Sequence, residues 1–331
     1  HGHDLDQDDH LLNVKNGVLN LKTGKLFDHS PGYKMTRKTD VEYDAEATCE
    51  NWDKFLREIT NERQSLMRYL QRLAGYILTG SIAEQKLFVL LGNGANGKTT
   101  FMNILSNLLQ DQHYSKSIAP ATLQNISHGN IRSDLARLAK VRLVTSAELQ
   151  GYPLNESLIK NMSGGSNIVA RPLYQSEVEY TPKFKILVDA NQPPEIVGND
   201  KGIQRRIIIV PFDVSIQKEN MDISLENRLK KEMPGILNWV LEGAMKWFEE
   251  GLPECEHVTK ATEQYFQEMD QTQEFLNDCC HQGNSSRVPI KELYLSYTSW
   301  AKENQFTVAS KKQFGSWLRN KGFAQEKSGS Q

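Results

Sequence analysis

Three short, mostly apolar runs mark the middle of the chain: Leu87–Leu91, which is continuous, Val141–Ala147 (VRLVTSA) and Phe184–Ala190 (FKILVDA). Runs of that length without hydrophobic–polar alternation predict strands buried on both faces of a parallel sheet. A fourth, Ile207–Val210, leads into Pro211-Phe212. Other stretches carry apolar residues three and four apart, the helical period: Asn51–Ile59, Gln64–Leu78, Phe101–Leu109, Ser224–Phe248 and Thr259–Asn277. Ahead of them, Leu11–Lys34 holds short runs broken by Asn16-Gly17 and Thr23-Gly24, which predicts hairpin strands. Ile118–His128 is polar and irregular, Leu135–Leu138 reads as a helix end, and HQGNSSRVP (His281–Pro289) reads as a turn-rich linker.

Beyond that linker, Pro289–Lys302 places Leu293, Tyr294, Tyr297 and Trp300 at helical spacing. Ser310–Lys321 begins with a Ser N-cap, turns Phe314, Trp317 and Leu318 inward, and stops at Gly322. Charge sets this end apart. From Arg287 to Lys327 eight Lys/Arg stand against three Glu, a net of +5, whereas the whole 331-residue chain carries −2 and has a pI near 6.5. The chain is therefore no polycation, and any contact with nucleic acid must be local. Two short helices, the second basic, followed by the start of a strand at Phe323, resemble a winged-helix domain. That resemblance implies Lys311, Lys312, Arg319 and Lys321 along the phosphate backbone of duplex DNA.

The length suits two or three domains, and 38% hydrophobic content is enough for real cores. No apolar run approaches the ~20 residues of a membrane span, and HGHDLDQDDH is unlike a secretory signal; no membrane partner and cytoplasmic residence are expected. Cys49, Cys255, Cys279 and Cys280 form no C-x-x-C pair and read as reduced, structural thiols. Asp4, Asp6, Asp8, Asp9 and His10 read as a solvated acidic terminus.

Between the first buried run and the helix after it lies Gly92-Asn93-Gly94-Ala95-Asn96-Gly97-Lys98-Thr99, which fits the phosphate-loop pattern G-x4-G-K-S/T at every fixed position. A polyphosphate must be wrapped by backbone N–H groups, and glycines let the chain approach closely while the following helix points its positive end at the anion. Lys98 then reaches the β- and γ-phosphates, and the Thr99 hydroxyl completes a Mg²⁺ shell, with Thr100 ranking behind it. ATP and Mg²⁺ are the cofactors this predicts.

The second run delivers Glu148 to a strand end beside the loop, where a carboxylate can hold Mg²⁺ through water or orient the attacking water. Alone, such a Glu equally suits a solvated strand end. The third run ends at Asn191, whose amide can bond the γ-phosphate or the water without adding negative charge. Gln204-Arg205-Arg206 follows, with an ion-paired strand start as the alternative reading.

In this order, GNGANGKTT, the strand ending in Glu148, LIKNMSGGSNIVARPLY (Leu158–Tyr174), the strand ending in Asn191 and QRRIIIVPF (Gln204–Phe212) resemble superfamily III helicases. The match is closest to the helicase module of phage, satellite and plasmid primase–helicases, with poxvirus-type NTPase/primase proteins as relatives. MPGILNWVLEGAMKWFEEGL (Met233–Leu252) resembles them too, and the resemblance covers roughly Leu11 to Cys280. It implies an α/β fold with a P-loop, AAA+-like core. The implied layout is an N-terminal accessory domain, mainly helical, over 1–80, the ATPase core over 81–215, a helical lid or packing region over 216–282, and the winged-helix-like end over 283–331.

Residue by residue, the resemblance makes Lys98 and Thr99 the Walker A pair, Glu148 the Walker B acid, Asn191 the sensor amide, and Arg205 or Arg206 the arginine finger that reaches a neighbouring subunit's ATP. A homo-oligomeric, hexameric ring is thereby implied, with a primase or initiator as a further partner. Lys160–Tyr180 resembles the DNA-gripping segment, in which Asn167–Arg171 and Glu177–Tyr180 pair as strands. Lys160, Arg171 and Tyr174 are its groups for single-stranded DNA. Two positions depart from the pattern. Gln150 stands where a second acid is common, so that Glu148 serves both roles or Glu156 helps, and Ser166 stands where an Asp is common.

The function expected is an ATP-dependent replicative DNA helicase of a mobile genetic element. The rival readings are a non-helicase AAA+ ring ATPase and an origin-binding initiator that uses ATP as a conformational switch. Primase activity is not supported, since the chain holds no convincing polymerase carboxylate set.

Overall fold

The computed structural model describes residues 5–110, 113–125, 133–149, 153–171, 176–196, 201–217, 219, 222–281, 283, 287–306 and 308–324. The chain opens with β1 (Leu11–Val14), β2 (Gly17–Asn20) and β3 (Leu26–Phe27), an antiparallel sheet in that order, then α1 (Glu50–Thr60) and α2 (Gln64–Leu78). The central region runs β4 (Leu87–Leu91), α3 (Lys98–Leu109), β5 (Ser115–Ser117), α4 (Pro120–Leu123), α5 (Ser133–Ala136) and β6 (Leu143–Ala147). It continues through α6 (Glu156–Gly164), β7 (Ile168–Ala170), β8 (Val178–Tyr180), β9 (Lys185–Ala190), α7 (Lys201–Gln204) and β10 (Ile207–Pro211). Helices α8 (Leu225–Lys231), α9 (Met233–Glu250), α10 (Glu256–Glu268), α11 (Gln271–Cys279), α12 (Ile290–Glu303) and α13 (Lys311–Asn320) follow.

The four runs do form parallel strands, joined at the edge by β5, which no run announced, in a five-stranded sheet ordered β10-β4-β9-β6-β5. Alternation within each run sends side chains to both faces. Phe88, Leu90, Leu143, Leu187 and Val210 pack with α1, α2, α3 and α9, while Leu87, Val89, Val144, Ile186, Val188 and Ile209 pack with α6, α7 and Tyr265 of α10. Burying each such side chain stabilises the fold by roughly 2 kcal/mol. The outer edge at β10 is closed by α10. The Ile209 N–H, which points away from β4, donates to Thr262 Oγ1 at 3.0 Å, and Pro211, two residues on, has no N–H to offer.

One core cluster extends from Leu12 to Val258. The expected boundaries at 80 and 215 therefore do not coincide with breaks in the core. Helix α2 lies directly on α9 because glycines face each other there: a Cβ on Gly75 would meet Ala244 N at 2.0 Å, and one on Gly243 would meet Gln71 O at 2.1 Å. Glu232 reinforces the join by accepting the N–H groups of Asn51 and Trp52 in the first turn of α1.

Asp4 lies outside the described residues, but Asp6 and Asp9 of the acidic start are not a solvated tail. Asp6 pairs with Lys140 and Asp9 with Lys183, at 2.9 and 2.7 Å. Burial raises the pKa of Asp6, but hydrogen bonds from Thr36 and Lys140 outweigh it and hold the carboxyl below the usual range. Deeper in, Arg142 donates to the carbonyls of Leu78 and Leu11 and stacks on Tyr114, 4.7 Å from the ring centre. Lys185 donates to the carbonyls of Thr79 and Ser81 and lies 4.9 Å from the Tyr76 ring. Both cations sit at the amino ends of their strands and satisfy carbonyls at the end of α2, which would otherwise be orphaned. Burial pulls the Lys185 ammonium well below the usual lysine range, and neighbouring Arg142 pulls the same way.

The C-terminal unit has its own core. Phe275 and Leu276 of α11 pack with Tyr297, Trp300, Phe314, Trp317 and Leu318, and Tyr297 stacks on Phe314 at 4.5 Å. The boundary expected at 282 therefore moves back to about Asp270, because α11 belongs with α12 and α13. Ser310 caps α13 in a capping box with Gln313, in line with the sequence reading.

Candidate functional site

The carboxyl ends of β4, β9 and β6 converge on one cluster of polar side chains. β4 runs straight into the glycine loop and α3 begins at Lys98. Gly97 takes φ +85° at the N-cap, and a Cβ there would run into Ile59 at 2.5 Å, so α1 packs beneath the loop as only glycine permits. The loop is further pinned by Asn96 Nδ2, which donates to Phe212 O at 3.0 Å, and by Ile216 N–H, which donates to Ala95 O at 2.8 Å.

Lys98 is the centre of the cluster. Its ammonium donates to Gly92 O (2.6 Å), Asn96 Oδ1 (3.0 Å) and Asn191 Oδ1 (3.2 Å), and lies 3.7 Å from Asp189 Oδ1. Burial lowers the Lys98 pKa, against the pull of Asp189 and Glu148. Thr99 Oγ1 donates to Asp189 Oδ2 at 2.6 Å. Asn191 Nδ2 donates to Glu148 Oε1 at 3.4 Å, and the Glu148 N–H donates to Asp189 O at 2.8 Å. Glu148 stands at φ +40°, a backbone region that costs a non-glycine residue of order 1 kcal/mol or more. Lys98, Thr99, Glu148 and Asn191 are thus brought together as the sequence predicts. Asn93 is exposed and Thr100 half-buried beside them.

Sequence reasoning missed Asp189. It is the penultimate residue of β9, buried among apolar neighbours, and its carboxylate touches both the lysine and the threonine of the loop. The available signal was a carboxylate inside the run FKILVDA, two residues before Asn191. With it, the donor set is a hydroxyl, two carboxylates and an amide, all oxygen ligands of the kind a hard divalent cation takes, beside an ammonium and a helix N-terminus suited to phosphate. These residues fit Mg²⁺ and a nucleoside triphosphate.

Arg205 and Arg206 lie at the opposite end of the sheet. The Leu87 N–H donates to Arg206 O, so both arginines precede the start of β10 while the loop follows the end of β4. The five residues of β10 separate these ends by about 16 Å. The two differ: Arg206 is buried and donates to Gly202 O at 2.6 Å, whereas Arg205 is exposed and reaches Gln85 Oε1 at 3.3 Å.

Strands β7 and β8 pair antiparallel, Ile168 opposite Tyr180, as expected for the hairpin. Arg171 is exposed at its outer end, Lys160 is half-buried on α6, and Tyr174 lies outside the described residues, as do Gln150 and Lys327. On α13, Lys311, Lys312 and Arg319 are exposed. Lys321 differs from them: its ammonium is held by Asp270 Oδ2 at 2.5 Å and Gln273 Oε1 at 3.0 Å, with the side chain 17% exposed, so it fastens α13 to α11.

Residues 1–61 match the family described as D5 N terminal like, 90–206 a family of unknown function (DUF5906), and 267–327 the family described as Poxvirus D5 protein-like. The last match covers the α11–α13 unit. Among curated relatives, the chain is 27% identical over 324 residues to a candidate helicase of Acanthamoeba polyphaga mimivirus, covering 91% of this chain and 34% of that protein. It is 26% identical over 242 residues to a candidate helicase of Sputnik virophage, covering 65% and 30%. Against a candidate primase of African swine fever virus it is 28% identical over 211 residues, covering 61% and 22%. The chain thus spans about a third or less of these relatives. Among solved structures, the apo C-terminal region of NrS-1 superposes with a TM-score of 0.50 at 14% identity, over 74% of this chain and 59% of that one.

Proposed function

From these matches we propose that the chain is a helicase module of the D5-type primase–helicase kind found in viruses and mobile elements, an ATP-driven DNA helicase with an AAA+-like core, working as a ring-shaped oligomer on single-stranded DNA. The observation that carries this reading is the meeting of Lys98, Thr99, Asp189, Asn191 and Glu148 at the carboxyl ends of three adjacent parallel strands. Open α/β sheets bind their ligands at that edge.

Mg·ATP, when bound, supplies the transferable phosphoryl group and its charge. Lys98 gives up its bonds to Gly92, Asn96 and Asn191 to meet the phosphates. Asn191, so released, orients the water for which Glu148 is the acceptor of the proton. Arg205 is the finger: it is exposed, and about 16 Å separates it from its own loop, so it serves a neighbour's site. Arg206 is the buried support behind it. Arg171 with Tyr174, and Lys160, contact the single strand, and exposed Lys311, Lys312 and Arg319 contact duplex backbone.

The test is phosphate release with and without single-stranded DNA, on wild type, Lys98→Ala and Arg171→Ala/Tyr174→Ala. Stimulation that the double variant loses, with no hydrolysis by Lys98→Ala, is the expected result. Hydrolysis indifferent to DNA favours a non-helicase ring ATPase or a switch-type initiator.

A further inference from the structure

Among the described residues, the side chains recorded against the Asp189 carboxylate, Thr99 and Lys98, both belong to the phosphate loop. Oδ2 accepts the Thr99 hydroxyl at 2.6 Å and Oδ1 faces the Lys98 ammonium at 3.7 Å, with the Asp189 side chain 9% exposed. Its position is fixed, because β9 lies between β4 and β6 in the middle of the sheet, and Asp189 pairs in register with Leu90 on one side and Ala147 on the other.

If the loop takes a polyphosphate, as the functional reading above requires, Lys98 turns to the phosphates and Thr99 turns its oxygen to the accompanying cation. Asp189 then loses both partners at once. A carboxylate so nearly buried is not left unpaired, since the cost of an uncompensated buried charge runs to several kcal/mol. The cation at Thr99 is the positive charge within reach of it. We infer that Asp189 is a cation-holding residue of this site, acting on Mg²⁺ directly or through its bound water. Glu148, tied to Asn191 rather than to Thr99, is thereby left to the attacking water.

The assignment separates two contributions to nucleotide binding. Asp189 helps only when the cation is present; without it, the same negative charge opposes the phosphates and engages Lys98 and Thr99. The experiment measures affinity for a fluorescent ATP analogue in Mg²⁺ and in EDTA. In wild type, Mg²⁺ tightens binding. In Asp189→Asn that Mg²⁺ to EDTA ratio falls about 10–100-fold, while the affinity in EDTA stays equal or improves. In Glu148→Gln the ratio persists although hydrolysis is lost. Asp189→Ser, which keeps an acceptor for Thr99 and removes the charge, gives the same read-out should the Asn variant be unstable.

A wild-type ratio in Asp189→Asn overturns the inference, as does an equal loss of affinity in both buffers, which marks a purely structural role. Wild-type protein that binds no nucleotide in either buffer overturns the nucleotide reading itself, and the two failures are thus distinct.

Discussion

The two ends of the parallel sheet are made by the same strands and treat charge in opposite ways. At the carboxyl end, Lys98, Thr99, Asp189, Asn191 and Glu148 satisfy one another through side-chain bonds, and Glu148 is held in a strained backbone region. At the amino end, Arg142 and Lys185 are buried and their donors go to the carbonyls that finish α2 and start β1. The first set of partners can be exchanged for a ligand, while the second cannot be exchanged without unfolding. A sheet fastened rigidly at one end presents fixed geometry at the other, which is what the proposed phosphoryl transfer needs.

The comparison breaks most visibly at Arg205, the one cation of the amino end assigned to chemistry. Arg205→Ala is expected to lower DNA-stimulated turnover by about 10³-fold with nucleotide affinity intact. Mixing it with Lys98→Ala protein is expected to restore part of the activity, because sites then form from one intact loop and one intact arginine; phosphate release by the mixture checks this. No recovery would remove the contribution in trans.

Arg142→Met, by contrast, strands two buried carbonyls and is expected to cost about 3 kcal/mol. A lower urea midpoint with unchanged turnover per folded molecule is the result that keeps the two ends distinct.

Lys185 sharpens the contrast through pH. Its folded pKa lies well below that of the unfolded chain, so between the two values the unfolded state binds the extra proton. Stability rises with pH across that window by at most about 1.4 kcal/mol per unit. It levels off as pH passes the ordinary lysine value. Lys185→Met is expected to flatten that slope, measured as melting temperature from neutral pH to about 10.

The smallest effect concerns the C-terminal unit. Lys312→Gln is expected to reduce the salt slope of duplex binding by about one, whereas Lys321→Gln, which cuts the tie to Asp270, is expected to lower the melting temperature and leave the slope alone. A fluorescence-anisotropy titration at several salt concentrations separates them.

Much of this was legible in the sequence. Short, mostly apolar runs bounded by turn signals suit strands covered on both faces, and the residues just beyond them, Glu148 and Asn191, fall at the sheet's open end. Asp189 was not legible because a carboxylate one position inside the run looks like a strand residue until the neighbour of β9 is known to be β4. Arg142 and Lys185 stand inside the second and third runs with no sign in the sequence of where their charge goes, since their burial depends on α2 ending over them from more than sixty residues away. Lys321 shared the basic helix with Lys312, yet Asp270 across the unit decided its role. Phe275 seemed to continue the preceding helix, and its aromatic partners lie far along the chain.

Thr262 and Pro211 close the β10 edge, one by occupying an N–H and the other by lacking one. Between Ile209 and Pro211 a second copy would therefore find, among the described residues, no free outward N–H with which to extend the sheet. If the proposed ring uses that flank, its contacts there would be made side chain to side chain, a kind of joint that can loosen and re-form without disturbing the sheet that carries the candidate site.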